Sequence, residues 1–375
     1  MIPALISHMH KKNITLMFIA ILLSLSIVEI TIRIFLPEKA VIQKPPSQWV
    51  NIPEQVWTEP HPTLGWYHQK SKTALLKKNN MEIPIHINSS GFRGRREYEE
   101  KKPPQTIRLL ILGDSFAFGW GGLDNETFSA QLEERIKTIE AINLGVSGYG
   151  IDQIALSFHE IGKKFNPDYV VITIFPEDFW RATRAFTDAG YGKPYFKLSS
   201  GNILTLKNVP VHSLEEMKFQ QFPEIIEYHR FERLLLHTAT YRFLKKKTLR
   251  LARDLDFVDP DLTEEWQLGQ AILRQLVKEI QITGAQPLLM IIPPAQWMEN
   301  TKPTSIQKSL VRFANREQVG IIDPTSALIE VCHQYGVDKF YIKDDSHWTS
   351  EGHSIIANLL VQYLKTQGQK LETTR

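Results

Sequence analysis

The chain has 375 residues, 42% of them hydrophobic and 23% charged, with a formal net charge of +3. That composition is globular and ample for one sizeable α/β domain with attachments, which excludes an intrinsically disordered chain. So small a charge gives no global argument for nucleic-acid binding, and the single cysteine, Cys332, excludes an internal disulfide and a multi-thiolate zinc site.

Residues 1–36 read separately from the rest. From Asn13 to Val28 there is no charge, and apolar character continues past Glu29 and Arg33 to Leu36. A helix of that length would just cross a hydrocarbon core of about 30 Å. Glu29 and Arg33, four apart, can pair near its end. Lys11 and Lys12 precede the apolar run, which predicts a cytoplasmic N-terminus, a single-pass anchor in the cell membrane and an extracytoplasmic body. The alternative is a cleaved signal peptide, although no small-residue cleavage pattern follows closely.

Residues 37–105 are rich in proline and polar residues, with scattered aromatics such as Trp57, Trp66 and Tyr67, and read as a stalk and lead-in segment. The turn formers from Ile87 to Gly94 suit a loop packed on the following domain. Lys101-Lys102-Pro103-Pro104 marks the boundary to a domain at 106–375.

The apolar run Ile107 to Leu112 is short and glycine-bounded, which suits a buried parallel strand. It leads into Gly113-Asp114-Ser115-Phe116. A serine placed where such a strand enters a helix lies at the sheet edge that binds ligands. Backbone N–H groups at the helix start can there receive a developing oxyanion. Further strands are predicted at Ala141–Leu144, Tyr169–Phe175, Pro287–Ile292 and Gly320–Asp323. Helices are predicted at about Thr127–Thr138, Ile151–Lys164, Thr263–Thr283, Ile306–Glu317 and Ser350–Gln367. Strands alternating with helices at these spacings imply a parallel sheet covered on both faces.

Just before the last helix stands Asp344-Asp345-Ser346-His347-Trp348-Thr349. A serine hydroxyl needs a base to take its proton, and the base needs a carboxylate to fix its tautomer. Asp344 and His347, three apart in a loop, can supply both.

These residues resemble the SGNH/GDSL hydrolase superfamily over about Ile107 to Lys365. The resemblance implies that Ser115 in Gly113-Asp114-Ser115 is the nucleophile, that Gly148 in Asn143-Leu144-Gly145-Val146-Ser147-Gly148 donates its N–H to the oxyanion hole with Ser115, and that Asp344 and His347 are orienter and base. It implies a three-layer α/β/α flavodoxin-like fold and acyl-ester chemistry, with no metal or organic cofactor. One block departs from the family: Phe175-Pro176-Glu177-Asp178 puts Glu177 where an asparagine normally offers its amide. An ionised glutamate donates no hydrogen bond. Glu177 then points away, or is held protonated in a dry pocket, or leaves the site weak or inactive.

Asp345 two residues before His347-Trp348 is also similar to the Asp-x-His-Trp element of polysaccharide O-acetyltransferases, which raises acyl transfer as an alternative to hydrolysis. The substrate class expected is an acyl ester on a glycan or other cell-envelope molecule, and the third reading is a decayed glycan-binding or assembly protein. Trp180 and Arg181, just after Glu177, are placed to line a substrate cleft. An insertion of helical character is expected at about 188–260, with a basic amphipathic segment at 228–253 that either rests on an acidic surface or packs on the domain.

Overall fold

The computed structural model describes residues 2–35, 56–78, 81–185, 192–199, 201–211, 235, 238–241, 243–244, 247–248, 259–300 and 302–372. The chain divides into two compact units. One combines Met1–Gln43 with Glu227–Val258, and the other combines Lys44–Ile226 with Asp259–Arg375.

The first unit holds one long helix, Ile2–Phe35. Its apolar side chains from Leu16 onward are largely exposed, Phe35 at 75%. Glu29 pairs with Arg33 at 2.8 Å, as their spacing requires, and its carboxylate also accepts the N–H groups of Ala239 and Thr240 at 2.7 and 2.8 Å. The sequence reading expected a transmembrane anchor here. Among the described residues no helix is long and apolar enough to cross a membrane, so that part of the expected architecture has no support in the fold.

The second unit is built on a parallel sheet of five strands. In chain order, four short lead-in strands come first: β1 (Thr58–His61), β2 (Gly65–His68), β3 (Thr73–Lys78) and β4 (Met81–His86). The sheet strands are β5 (Ile107–Gly113), β6 (Ile139–Gly145), β7 (Tyr169–Ile174), β10 (Gln286–Ile291) and β11 (Gly320–Ile322), with β8 (Tyr195–Leu198) and β9 (Leu204–Lys207) between them. The spatial order is β11-β10-β7-β5-β6, every pair parallel. Chain order therefore reverses at the β5/β7 junction, the point where open α/β sheets present a crevice at the carboxyl ends of their strands.

Period-two alternation sorts the strand residues onto two faces. Leu110, Leu112, Ile142, Leu144, Val170 and Ile172 share one core with the helices Ile151–Glu160, Glu264–Ile282 and Ser305–Glu317. Leu109, Ile111, Ala141, Val171 and Met290 share the other with the helices Phe128–Arg135, Thr325–Tyr335 and Ser350–Glu372. This is the three-layer arrangement expected, and the strand bounds differ from expectation by no more than two residues at any end. The helix Thr325–Tyr335 was not foreseen.

The described part of the 37–105 lead-in segment forms two antiparallel hairpins, β1 with β2 and β3 with β4. The insertion at 188–260 opens with a third hairpin, β8 with β9, whose Tyr195 and Phe196 join the first core. Alternation of apolar and polar residues over only four positions is too short a signal to separate from a helix turn. Most of the basic segment 228–253 lies outside the described residues.

Close approach at the strand ends sets the short helix Ser115–Phe118 against β6. A Cβ added to Gly145 would lie 2.3 Å from the Phe118 backbone nitrogen, so no side chain fits without moving that helix. Asn143 completes the seam: its Nδ2 donates to the Ala117 carbonyl at 2.7 Å and its Oδ1 accepts the Gly145 N–H at 2.9 Å. Gly145→Ala is therefore expected to destabilise the fold by about 1–3 kcal/mol and to displace Ser115, measurable as a fall in melting temperature together with loss of serine reactivity.

Two buried imidazoles make the fold acid-sensitive. Burial lowers the pKa of His68 to about 4 and that of His353 to about 3, and the His353 Nδ1 atom has no hydrogen-bond partner. Both are neutral when folded and titrate near 6.5 when unfolded, so their contribution is present above pH 6.5 and is lost as pH falls toward the folded values. Each should cost about 1.4 kcal/mol per pH unit in that window. Equilibrium unfolding between pH 6.5 and 4.5 should show that slope reduced by one proton in His353→Phe, and an unchanged slope would refute the assignment.

Candidate active site

Ser115 opens the helix Ser115–Phe118 directly after β5 and is 8% exposed. Asp114 caps that helix, its Oδ1 accepting the Phe116 N–H at 3.0 Å. Gly119 ends it at φ +81°. The nucleophile position is thus a single tight turn held at both ends.

His347 lies across the sheet edge from it. Its Nε2 is 2.7 Å from the Ser115 Oγ, and its Nδ1 is hydrogen-bonded to Oδ1 of Asp345. A carboxylate accepts only, so Nδ1 carries the proton and Nε2 is free to accept from the serine hydroxyl. The imidazole also rests on the Phe116 ring, centroids 4.7 Å apart.

The carboxylate partner is Asp345, not the expected Asp344. The reason is the shape of the turn. Tyr341 and Trp348 bridge as an antiparallel pair, the Ile342 N–H donates to the His347 carbonyl at 2.7 Å, and Asp344 and Ser346 adopt φ +60° and +73°. Within this turn Asp345 Oδ1 accepts the His347 backbone N–H at 3.3 Å, an Asx-type closure that aims the carboxylate along the chain. Asp344 is exposed. The second oxygen of Asp345 accepts the indole N–H of Trp120 at 3.3 Å, a contact that sequence spacing offered no means of finding.

The oxyanion donors implied by the family resemblance are the amides of Ser115 and Gly148. They follow β5 and β6, adjacent strands whose ends pair at Gly113 and Gly145. Gly148 sits at φ +79°, a left-handed conformation that glycine adopts without steric cost. Its loop is held from the lead-in segment: the Trp66 indole N–H donates to the Ser147 carbonyl at 3.1 Å, and the Tyr149 hydroxyl donates to the Trp66 carbonyl at 2.5 Å.

Glu177, at the asparagine's place in the sequence, opens the short helix Glu177–Arg181. Its side chain is 59% exposed and lies 3.6 Å from Nη2 of Arg181. The expected cleft-lining role of Arg181 also needs revision. Its Nη1 shares two N–H groups among three acceptors, Asp114 Oδ2 at 2.9 Å, Asp178 Oδ1 at 2.8 Å and the Tyr149 carbonyl at 3.1 Å. Burial and the neighbouring Asp114 hold the Asp178 carboxyl well above the usual range, and Arg181 pulls it back. Trp180 is 36% exposed, with the Arg184 guanidinium 3.1 Å from its ring centroid.

Among the described residues no group of three or more His, Cys, Asp or Glu side chains is placed to hold a metal ion. A cavity of about 400 Å³ lined by His86, Arg93, Arg96, Tyr98, Asp124 and Glu133 contains none of the triad. Its charges largely satisfy one another, with His86 and Arg93 on Asp124 and Arg96 on Glu133.

No family model matches the chain, and no curated protein does. Solved structures do show a likeness. The acetyl xylan esterase AlAXEase shares 13% identity over 68% of this chain and 99% of its own, at a TM-score of 0.40. Axe2, an acetylxylan esterase from Geobacillus stearothermophilus, shares 17% over 69% and 95%, also at 0.40. A putative lipolytic protein of the G-D-S-L family from Desulfitobacterium hafniense shares 12% over 68% and 99%, again at 0.40. With identities and scores this low, what the chain does rests on its own geometry.

Proposed function

We propose that this chain is a serine esterase, and the observation that carries the reading is the continuous hydrogen-bond path from Ser115 through His347 to Asp345. In the proposed reaction the Ser115 Oγ attacks the ester carbonyl carbon while His347 Nε2 takes the hydroxyl proton. The carbonyl oxygen becomes an oxyanion facing the Ser115 and Gly148 amides. Collapse breaks the ester C–O bond, and His347 returns its proton to the departing alcohol. Water then repeats the sequence on the acyl-serine, releasing a carboxylic acid. Asp345 holds the Nδ1–H tautomer throughout and stabilises the transient imidazolium.

An acylated glycan or other cell-envelope ester is the proposed substrate class. The exposed face of Trp180, next in the chain to Arg181, offers a flat apolar surface of the kind that packs on a sugar ring. Extracytoplasmic placement behind an N-terminal membrane anchor is part of the same proposal and rests on the sequence alone, on Lys11 and Lys12 ahead of an uncharged run.

One observation favours acyl transfer as a second reading. The working carboxylate stands two residues before the histidine, in Asp345-Ser346-His347-Trp348, the spacing that resembles polysaccharide O-acetyltransferases. The same acyl-serine would then pass its acyl group to a sugar hydroxyl in place of water. The third reading, a decayed glycan-binding or assembly protein, is motivated by the absence of an asparagine amide at Glu177, whose side chain is 59% exposed and 3.6 Å from Arg181.

Labelling with a serine-directed fluorophosphonate tests the nucleophile: wild type should label and Ser115→Ala should not. Equal labelling of the two proteins would remove Ser115 from the mechanism. Turnover of p-nitrophenyl acetate tests the acid. Asp345→Asn should lower kcat by about 10³–10⁴, the cost of the wrong histidine tautomer. Asp344→Asn, exposed and in a conformation asparagine tolerates, should stay within about twofold of wild type on the same ground. The reverse ranking would restore Asp344 as the orienter. Adding an oligosaccharide acceptor to the assay separates the two readings, because acetylated sugar should accumulate only if transfer competes with hydrolysis.

A further inference from the structure

We infer that Arg181 is a positioning residue for the oxyanion hole, tying together the two loops that carry its amide donors in a chain with no asparagine at the usual place. The inference rests on the reading of Ser115 as nucleophile. Three elements meet at one guanidinium. Asp114 precedes the Ser115 amide, Tyr149 follows Gly148, and Asp178 belongs to the segment after β7; Nη1 of Arg181 binds all three at 2.8 to 3.1 Å.

The arrangement has the properties that such a role requires. Asp114 uses its other oxygen to cap the nucleophile helix, so the cation holds the turn that orients the Ser115 N–H. Asp178 is itself fixed, its Oδ2 accepting the Phe175 N–H at 2.9 Å. Gly150 permits the close approach, since a Cβ there would lie 2.9 Å from both the Arg181 Cβ and the Ala182 nitrogen. Burial opposes the charge on Arg181, but Asp178 and Asp114 more than offset it, so the guanidinium stays cationic. Both carboxyl groups are fully buried, Asp114 at 1% and Asp178 at 0% exposed, and one guanidinium nitrogen reaches both of them and the Tyr149 carbonyl.

A preorganised oxyanion hole works because its donors need not move when charge develops. Fixing the spacing of the Ser115 and Gly148 amides therefore acts on the transition state more than on substrate binding. Removal of Arg181 should lower kcat and leave KM nearly alone.

The test uses the full chain, p-nitrophenyl acetate as substrate and phenylboronic acid as inhibitor, since the boronate adds to a serine hydroxyl as a tetrahedral mimic of the intermediate. Arg181→Gln should lower kcat by about 30- to 100-fold with KM within about twofold, and weaken boronate inhibition by a similar factor. Arg181→Lys, which retains the charge but ends one bond short of the Nη1 position that reaches Asp114, Asp178 and Tyr149, should lose about 10-fold on the same grounds, and it decides the matter should Arg181→Gln fail to fold. Wild-type kcat in the lysine variant, a loss confined to KM, or unchanged boronate affinity would each overturn the role. A wild-type chain with no Ser115-dependent turnover would instead sink the esterase reading itself, so the two failures are distinguishable.

Discussion

The hydrogen bond between Ser115 and His347 closes a loop of 232 residues. Closing a flexible loop of that length costs about 5 kcal/mol in entropy before any constant is added. A hydrogen bond contributes about 1 kcal/mol net, so the contact cannot assemble itself and must be delivered by the cores on both faces of the sheet. The topology makes this demanding. β11, the last strand, lies at the edge opposite β6, and the chain must return across the sheet before His347 can meet a serine that follows β5. The segment from the helix Thr325–Tyr335 onward makes that return, and the helix Ser350–Glu372, which follows His347, anchors it by packing on Phe128–Arg135, where Gln131 donates to the Ser350 carbonyl and Arg135 to the Ser354 hydroxyl. Ile356 and Leu360 bury in the same core as Phe116.

The lead-in hairpins turn out to belong to the site's foundations. Trp57 stacks on Phe118 with rings 5.8 Å apart and 3° from parallel, and His68 lies against the same ring. Arg93 places its guanidinium over that ring from the far side of the segment, 4.7 Å from the centroid. Phe118 ends the nucleophile helix, so these contacts clamp the turn that exposes Ser115. Trp66 meanwhile grips the Gly148 loop through Ser147 and Tyr149. The lead-in segment therefore buttresses both the Ser115 turn and the Gly148 loop, the two proposed oxyanion donors.

Most of the framework was legible because it is written in short-range patterns. Apolar runs of five to seven residues bounded by glycine specify buried strands, and caps such as Thr263 and Thr304 mark helix starts with their own hydroxyls. Ser115, Gly148 and His347 stand at the strand and helix junctions where such patterns end. What spacing could not supply is direction. Asp344 and Asp345 are neighbours, and only the backbone of the turn, with two residues at positive φ, decides which carboxylate faces the imidazole. Arg181 looked like a cleft residue because nothing local reveals that its partners, Asp114 and Tyr149, lie 67 and 32 positions away. The hairpins β1–β4 were missed because strands of four to six residues carry too few alternations to be read.

The short span from Asp114 to Trp120 carries an unusual share of the site. Ser115 supplies the hydroxyl, Phe116 the surface beneath the imidazole, and Trp120 the N–H on the outer oxygen of Asp345. Trp120 in turn donates its backbone N–H to the Ser115 carbonyl at 3.0 Å, so the residue that steadies the acid is bonded to the residue that bears the nucleophile. His347 and Asp345 belong to a separate turn, bridged at Tyr341 and Trp348, and meet this span at the Ser115 Oγ and the Trp120 indole. Gly148, whose amide is the other proposed oxyanion donor, follows a different strand, β6. Registration between Ser115 and the Gly148 loop therefore depends on contacts between elements, among them Asn143, which joins the helix to β6, and Arg181, which joins Asp114 to the loop after Gly148.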